Sequence, residues 1–307
     1  MIKVEDITYV RFRAPDLDKM EAFLLDFGMR RQERTDTALY MQGVGPDPVV
    51  HVTELGDPGF VGLAFQAGSD SDLQAVAEAN GVSVDARTEP GGGRRVLIHD
   101  PDGFPIEIIH GLERLDVIDV QDIAPPNERL DKPRLGAEKR MVAGPSHVHR
   151  LGHVVLNVAD YPKSFAWYHE QLGLLKSDEI YVGDEDKVIG AFMRCDQGNR
   201  FVDHHTVFLL GTGKPGFNHA AWEVADFDDL MLGRDVLTDN GHMPVWGIGR
   251  HILGSQIFDY WRDPWGHMVE HWTDGDMFDA STSPNKAPVD DLLGTQWGAK
   301  PPADMGG

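Results

Sequence analysis

ITYVRFRAPDLDKMEAFLLDFGM at residues 7–29 and LGHVVLNVADYPKSFAWYHEQLGL at residues 151–174 are two copies of one pattern. Each opens with a β-prone run, passes through Asp or Pro, and continues into an amphipathic stretch that ends at glycine. In the first copy Met20, Phe23, Leu24 and Phe27 fall at i, i+3, i+4 and i+7, the spacing of one helix face. Phe165, Tyr168 and Leu172 repeat that spacing in the second copy. Gly28 and Gly173 then suit the left-handed position that closes a helix.

Two further pairs extend the repeat. PGFVGLAF at 58–65 matches PGFNHAAW at 215–222, and each leads into a helical stretch opened by an Asp or Ser cap. Those stretches close at Asn80-Gly81 and Asn240-Gly241. DPDGFPIEI at 100–108 and DPWGHMVEH at 263–271 each read as a Pro-and-Gly turn entering an alternating strand. Each half is thus expected to hold two βαβββ modules, an α+β architecture with curled antiparallel sheets. The expected organisation is an N-terminal domain at 1–115, a linker at 116–148 and a C-terminal domain at 149–276. Pro125, Pro126, Pro133 and Pro145 mark the linker. The tail at 277–307, rich in Pro, Gly and polar residues, is expected to be a loose extension or an arm on a neighbour, with Trp297 favouring the arm.

Composition excludes several function classes. At 307 residues the chain has room for two domains, each with its own core, and 41% apolar with 25% charged residues is ordinary for globular proteins. No apolar run approaches the roughly 20 residues that span a bilayer, and MIKVEDITYV lacks a signal-peptide layout. A net charge of −22 argues against nucleic acid, since phosphate binding needs clustered Lys and Arg. With Cys195 as the sole cysteine, no intramolecular disulfide forms and a cytoplasmic setting is expected.

Overlaying the halves puts Tyr9 opposite His153, Gly62 opposite His219 and Glu107 opposite Glu270. The C-terminal half therefore has two imidazoles and a carboxylate on three strands, where the N-terminal half keeps the acid alone. Two neutral imidazoles and one carboxylate form a facial set that leaves adjacent positions open on iron(II). A lone histidine in a strand is more often a satisfied core or surface residue. Two correlated differences between copies of one unit, beside an acid that both copies share, point to a metal site instead. On the same reasoning Glu107 is expected to be structural, and His51, His99, His110, His147, His149, His169 and His242 have no partner pattern.

With those residues in place, the chain resembles the type I extradiol dioxygenases of the vicinal oxygen chelate, or glyoxalase–bleomycin resistance, superfamily, such as 2,3-dihydroxybiphenyl and trihydroxytoluene dioxygenases. The resemblance covers residues 5–275, and its specific part is GRHILGSQIFDYWRDPWGHMVEHW at 249–272. There His251, Tyr260, Asp263, Pro264, Gly266 and Glu270 fit the family signature. His204-His205-Thr206 fits the family's His pair before a strand, in a half where His153 and His219 stand 66 positions apart against 53 for Tyr9 and Gly62. Two positions depart from the pattern: Asp259 stands where the family has an apolar residue, and Gly254 where some relatives carry an acid.

The resemblance implies ring cleavage of a catechol-type aromatic substrate by O2, with Fe(2+) held by His153, His219 and Glu270; Mn(2+) suits the same set. It further implies that His205 is the acid–base group and that His251 and Tyr260 bind substrate oxygens. His204 would support His205, His267 and His271 would be surface or supporting groups, and Trp222, Trp246, Trp261 and Trp265 are candidates for an aromatic pocket or for core. A symmetric homo-oligomer is implied as well. Two alternatives stay open: a glyoxalase- or epimerase-type enzyme using four ligands and no oxygen, and a non-catalytic small-molecule-binding protein without a metal.

Overall fold

The computed structural model describes residues 2–120 and 125–302; residues 121–124 of the expected linker and 303–307 of the tail lie outside the described residues. The N-terminal half runs β1 (Val4–Ala14), α1 (Leu17–Asp26), β2 (Arg30–Arg34), β3 (Ala38–Gln42) and β4 (His51–Leu55). It repeats as β5 (Gly59–Ala67), α2 (Asp70–Asn80), β6 (Asp85–Ala86), β7 (Arg94–His99) and β8 (Pro105–His110). The C-terminal half follows with β9 (Val148–Val158), α3 (Tyr161–Leu172), β10 (Leu175–Tyr181), β11 (Val188–Arg194), a short β12 (Val202–Asp203) and β13 (Val207–Gly211). Its second module is β14 (Gly216–Val224), α4 (Phe227–Asp239), β15 (Met243–His251), β16 (Ile257–Arg262) and β17 (Met268–Thr273). The remaining segment adds β18 (Met277–Phe278), β19 (Asn285–Pro288), α5 (Val289–Leu292) and β20 (Thr295–Gly298).

Local chemistry explains the repeat. Asp16 Oδ1 accepts the Lys19 N–H at 3.0 Å and Asp160 Oδ1 the Lys163 N–H at 3.1 Å, so α1 and α3 start at equivalent caps. Met20, Phe23 and Leu24 are buried, each contributing about 2 kcal/mol on leaving water. Asp100 Oδ1 accepts the N–H groups of Asp102 and Phe104, and Asp263 Oδ1 accepts those of Trp265 and His267. Each of these turns thus closes on its own aspartate.

The sheets are mixed rather than antiparallel throughout. β1 pairs parallel with β4 and β5 with β8, while β1 and β5 are antiparallel; β9 with β13, and β14 with β17, repeat this. The helix returns the chain to the start of the first strand, so the meander sets out in that strand's direction and its third strand runs parallel to it.

The larger sheet is strongly curled. Its ten strands run β19-β10-β11-β13-β9-β14-β17-β16-β15-β20. At about 4.8 Å per strand, flat edges would stand roughly 43 Å apart. Pro288 ends one edge strand and Thr295 begins the other, and a chain of that length reaches at most about 25 Å. The described part of the tail is therefore not a loose extension: it pairs β19 with β10 and β20 with β15 of its own sheet. Apolar residues at Val289, Leu292 and Ala287, packed on the sheet, give it a reason to fold back.

The halves do not bury separate cores. One buried cluster runs from Val4 and Phe12 through Val154 to Trp222 and Val269. Phe12 packs edge-on to Phe217 at 5.1 Å, and the Trp222 indole N–H donates to the Val50 carbonyl at 3.2 Å. His271, expected at the surface or in support, is fully buried in this seam and donates to the Phe27 carbonyl at 2.7 Å. Between β8 and β9 no strand or helix forms among the described residues, and the Ile118 N–H pins this stretch to the Val44 carbonyl at 2.9 Å. No helix among the described residues is long and apolar enough to cross a membrane.

Candidate metal centre and active site

Strand alternation places the three proposed ligands. On β9, Val154, Leu156 and Val158 enter the main core, which turns His153 and Val155 to the other face. On β14, Ala220, Trp222 and Val224 do the same, leaving His219 and Ala221 on the inner face. On β17, Val269 faces the core and Glu270 the inside. Pairing then fixes the register: His153 lies opposite Ala221, and Ala221 beside Glu270.

His153 Nε2 stands 3.4 Å and His219 Nε2 3.3 Å from Glu270 Oε2, and the three donor groups lie within 4.8 Å of one another. Glu270 is fully buried, yet neither of its oxygens has a hydrogen-bond partner, because these contacts lack hydrogen-bond geometry. His153 Nδ1 is likewise without a partner. A buried carboxylate in that condition is costly unless a cation joins it. Burial raises the Glu270 carboxyl, but the facing imidazoles outweigh this and hold it well below the usual range. Burial pushes the His153 ring below its ordinary value, toward the neutral form that binds metals. Asn218 Oδ1 takes the His219 Nδ1–H at 2.9 Å, which leaves the Nε2 lone pair facing Glu270. The residues present thus fit a divalent cation on a two-nitrogen, one-carboxylate set.

The other candidates gather at the same place. His251 Nε2 and the Tyr260 hydroxyl are 3.0 Å apart, and His251 Nε2 is 3.8 Å from Glu270 Oε1. The His205 ring lies 4.1 Å from that of His153. His205 is joined through Nδ1 to His204 Nδ1 at 3.1 Å, and His204 Nε2 to Asp178 Oδ2 at 2.7 Å. With Asp178 accepting from His204, the neutral chain assigns the Nδ1 proton to His205 and leaves its Nε2 as the free acceptor. Burial, then His153 and His204, lowers the His205 ring well below its ordinary value. Burial and Glu270 raise the Tyr260 hydroxyl well above its own.

Sequence reasoning missed Asp178 and Asn218. Asn218 lies within the repeated stretch at 215–222, opposite Val61, and its difference from that copy was the signal available. Asp178 falls in no repeated stretch, and its role depends on a contact with distant His204. Of the four tryptophans, Trp246 lines the cavity beside the imidazoles. Trp222 and Trp261 are core, Trp265 packs against the core, and His267 pairs with Asp263 at 2.7 Å. Asp259 points away from Tyr260 and pairs with Arg234, while accepting the Trp261 indole N–H at 2.7 Å. Burial on the helix side of the sheet pushes this carboxyl up to about 7 despite Arg234. Gly254, at a left-handed φ of +78°, lies against His204, where a Cβ would approach Nδ1 to 3.0 Å.

The equivalent place in the N-terminal half is filled differently. Glu107 receives Arg11 at 3.0 and 3.1 Å, Tyr9 at 2.9 Å and Arg95 at 3.0 Å. At Gly62 even a Cβ would meet the Pro105 carbonyl oxygen at 2.3 Å, so no histidine fits opposite His219.

The model of the Glyoxalase/Bleomycin resistance protein/Dioxygenase superfamily matches residues 6–108 and 150–271. Metapyrocatechase 2 of Cupriavidus necator is 29% identical over 288 residues, covering 90% of this chain and 83% of the relative. The manganese-dependent 2,3-dihydroxybiphenyl 1,2-dioxygenase of Geobacillus genomosp. 3 is 24% identical, covering 90% and 87%. A Mn(II)-bound glyoxalase from Novosphingobium aromaticivorans shares the fold at a TM-score of 0.81 and 23% identity, covering 99% of this chain and 94% of its own.

Proposed function

The chain belongs to the Glyoxalase/Bleomycin resistance protein/Dioxygenase superfamily, and from that premise we propose that it is an extradiol dioxygenase of catechols. In this reaction a ring C–C bond beside one hydroxyl-bearing carbon breaks, and both atoms of O2 remain in the product. One observation carries the reading: His153, His219 and a fully buried, unpartnered Glu270 converge at a cavity also lined by His205, His251 and Tyr260. The relatives named for catechol and biphenyl-diol cleavage extend over nine-tenths of the chain.

Iron(II) or manganese(II) on His153, His219 and Glu270 would supply Lewis acidity toward the catechol oxygens and an electron path between the ring and dioxygen. Iron is the proposed ion, and the manganese-dependent relative keeps manganese as the second choice. The remaining steps belong to protein side chains. Neutral His205 accepts a substrate hydroxyl proton at Nε2 and returns it later, with Asp178 and His204 holding its tautomer. Tyr260, un-ionised, donates from its hydroxyl toward a substrate oxygen, and His251 sits where it can share that proton. The apolar walls beside this group exclude water and strengthen both interactions.

The test is anaerobic loading of the full chain with iron(II) or manganese(II), followed by catechol and air. Oxygen uptake with a yellow ring-cleaved product is expected. An oxygen-independent isomerisation would favour the glyoxalase- or epimerase-type alternative, and failure to bind either metal would favour the binding protein.

A further inference from the structure

The metal-binding row and the opposite wall of the cavity differ in chemistry. The cavity measures about 300 Å3. Its first row is His153 on β9 and Tyr260 on β16, with Glu270 behind them on β17. Moving outward through β13 to β11 covers two strand spacings, about 10 Å. There the wall is made by Phe208 and Leu210 of β13 and by Phe192 and Ile189 of β11. Phe192 and Phe208 lie face to face at 4.1 Å. The chain then supplies a cover: α5 crosses between the two edges of the curled sheet and presents Val289 and Leu292 to the cavity.

No Lys, Arg, Asp or Glu lines this cavity among the described residues. Two cations of the covering segment and its neighbours are held by other partners: Lys286 donates to the Glu185 carbonyl, and Arg250 pairs with Asp274. A carboxylate on the substrate would enter this end without a counter-charge, which is costly in an apolar site. The net charge of −22 adds a long-range repulsion against anions.

We propose that the site takes a catechol bearing an uncharged alkyl or aryl substituent, and that the C-terminal segment around Val289 and Leu292 is the wall that selects it. This rests on the ring-cleavage reading for the placement of the two hydroxyls at the imidazole end. Ile189, Phe192, Phe208 and Leu210 form the fixed side of the substituent pocket, and α5 forms the side that the sheet alone does not provide.

Matched pairs test the proposal on metal-loaded full-length protein. kcat/KM is measured for 3-propylcatechol against 3-(2,3-dihydroxyphenyl)propanoate, and for 4-ethylcatechol against 3,4-dihydroxyphenylacetate. The uncharged member of each pair is expected to win by about tenfold or more. Leu292→Arg should move both ratios toward the carboxylate by about tenfold. Equal or reversed ratios in the unaltered protein, with catechol itself cleaved, would overturn the proposal and leave ring cleavage standing. If no catechol is cleaved, the function fails instead, and the pocket is read by anaerobic calorimetry with 2-phenylphenol and 3-(2-hydroxyphenyl)propanoate. Binding of the first and not the second supports the apolar wall, and equal or reversed binding overturns it.

Discussion

Glu107 and Glu270 occupy equivalent positions on β8 and β17, yet the first is met by the Arg11 guanidinium at 3.0 Å and the second by two imidazole nitrogens at 3.3 and 3.4 Å. In the N-terminal half a covalently attached cation fills the place that a free ion would take in the C-terminal half. Glu107→Gln should therefore leave metal content unchanged and lower stability by about 3 kcal/mol, since Arg11 loses a buried partner. Metal analysis and thermal melting of the same preparation separate the two effects. A substantial loss of metal would mean that the N-terminal half participates.

The same residue sets a pH dependence. Burial raises the Glu107 carboxyl, but Arg11 and Arg95 outweigh it and leave it below its ordinary 4.5. A lowered folded value stabilises the protein above that ordinary value, and the contribution disappears as pH falls through the folded one. The stability gap between the parent and Glu107→Gln should be full above about pH 5 and close on acidification. A gap that stayed constant down to pH 3 would contradict this.

Asn218 holds the ring of His219 through Nδ1, so its loss should reach the metal through the ligand. Asn218→Ala is expected to weaken metal affinity about 10-fold to 100-fold, read by competition with a chelator. His219→Ala should remove metal binding outright. An Asn218→Ala protein with unchanged affinity would show that the strand alone orients His219.

The repeat was legible because paired strands have equal lengths in the two halves. β1 and β9 span 11 residues each, and β5 and β14 span 9, so Tyr9 and His153 or Gly62 and His219 coincide without a gap. The ligand set could be located by asking where copies of one unit differ in chemistry. Other features depend on contacts between distant segments, which leave no period in the sequence. Asp178 meets His204 across 26 positions, and β19 joins β10 from more than a hundred residues away. The repeat did not single out Arg11, whose burial follows from three carboxylates, Glu54 of β4, Glu107 of β8 and Glu89 of a loop, that converge on its guanidinium.

Asp178 and His204 are positioning residues for His205. Asp178→Asn keeps the shape but removes the charge that fixes the His204 proton. kcat should fall about 10-fold to 100-fold, no more than the low end of the roughly 10²–10⁴ that a general base contributes, because the base itself remains. KM and metal content should hold, and the acidic limb of the kcat profile should move. Parallel losses of metal, melting temperature and activity would instead assign the pair a structural role.

Gly152 precedes His153 on β9, and a Cβ there would come within 2.5 Å of the Trp272 indole. That ring is itself held under the Arg150 guanidinium at 5.6 Å and faces His153 at 6.2 Å. An added methyl has no free direction, because Trp272 sits on β17 two residues beyond Glu270. Gly152→Ala must push β9 and β17 apart or turn the indole, at a cost of about 1–3 kcal/mol. The first route separates His153 from Glu270, so metal affinity should fall together with the melting temperature. Metal binding that survives a lowered melting temperature would mean that the indole turns and the strands stay, making Trp272 a packing residue without influence on the centre.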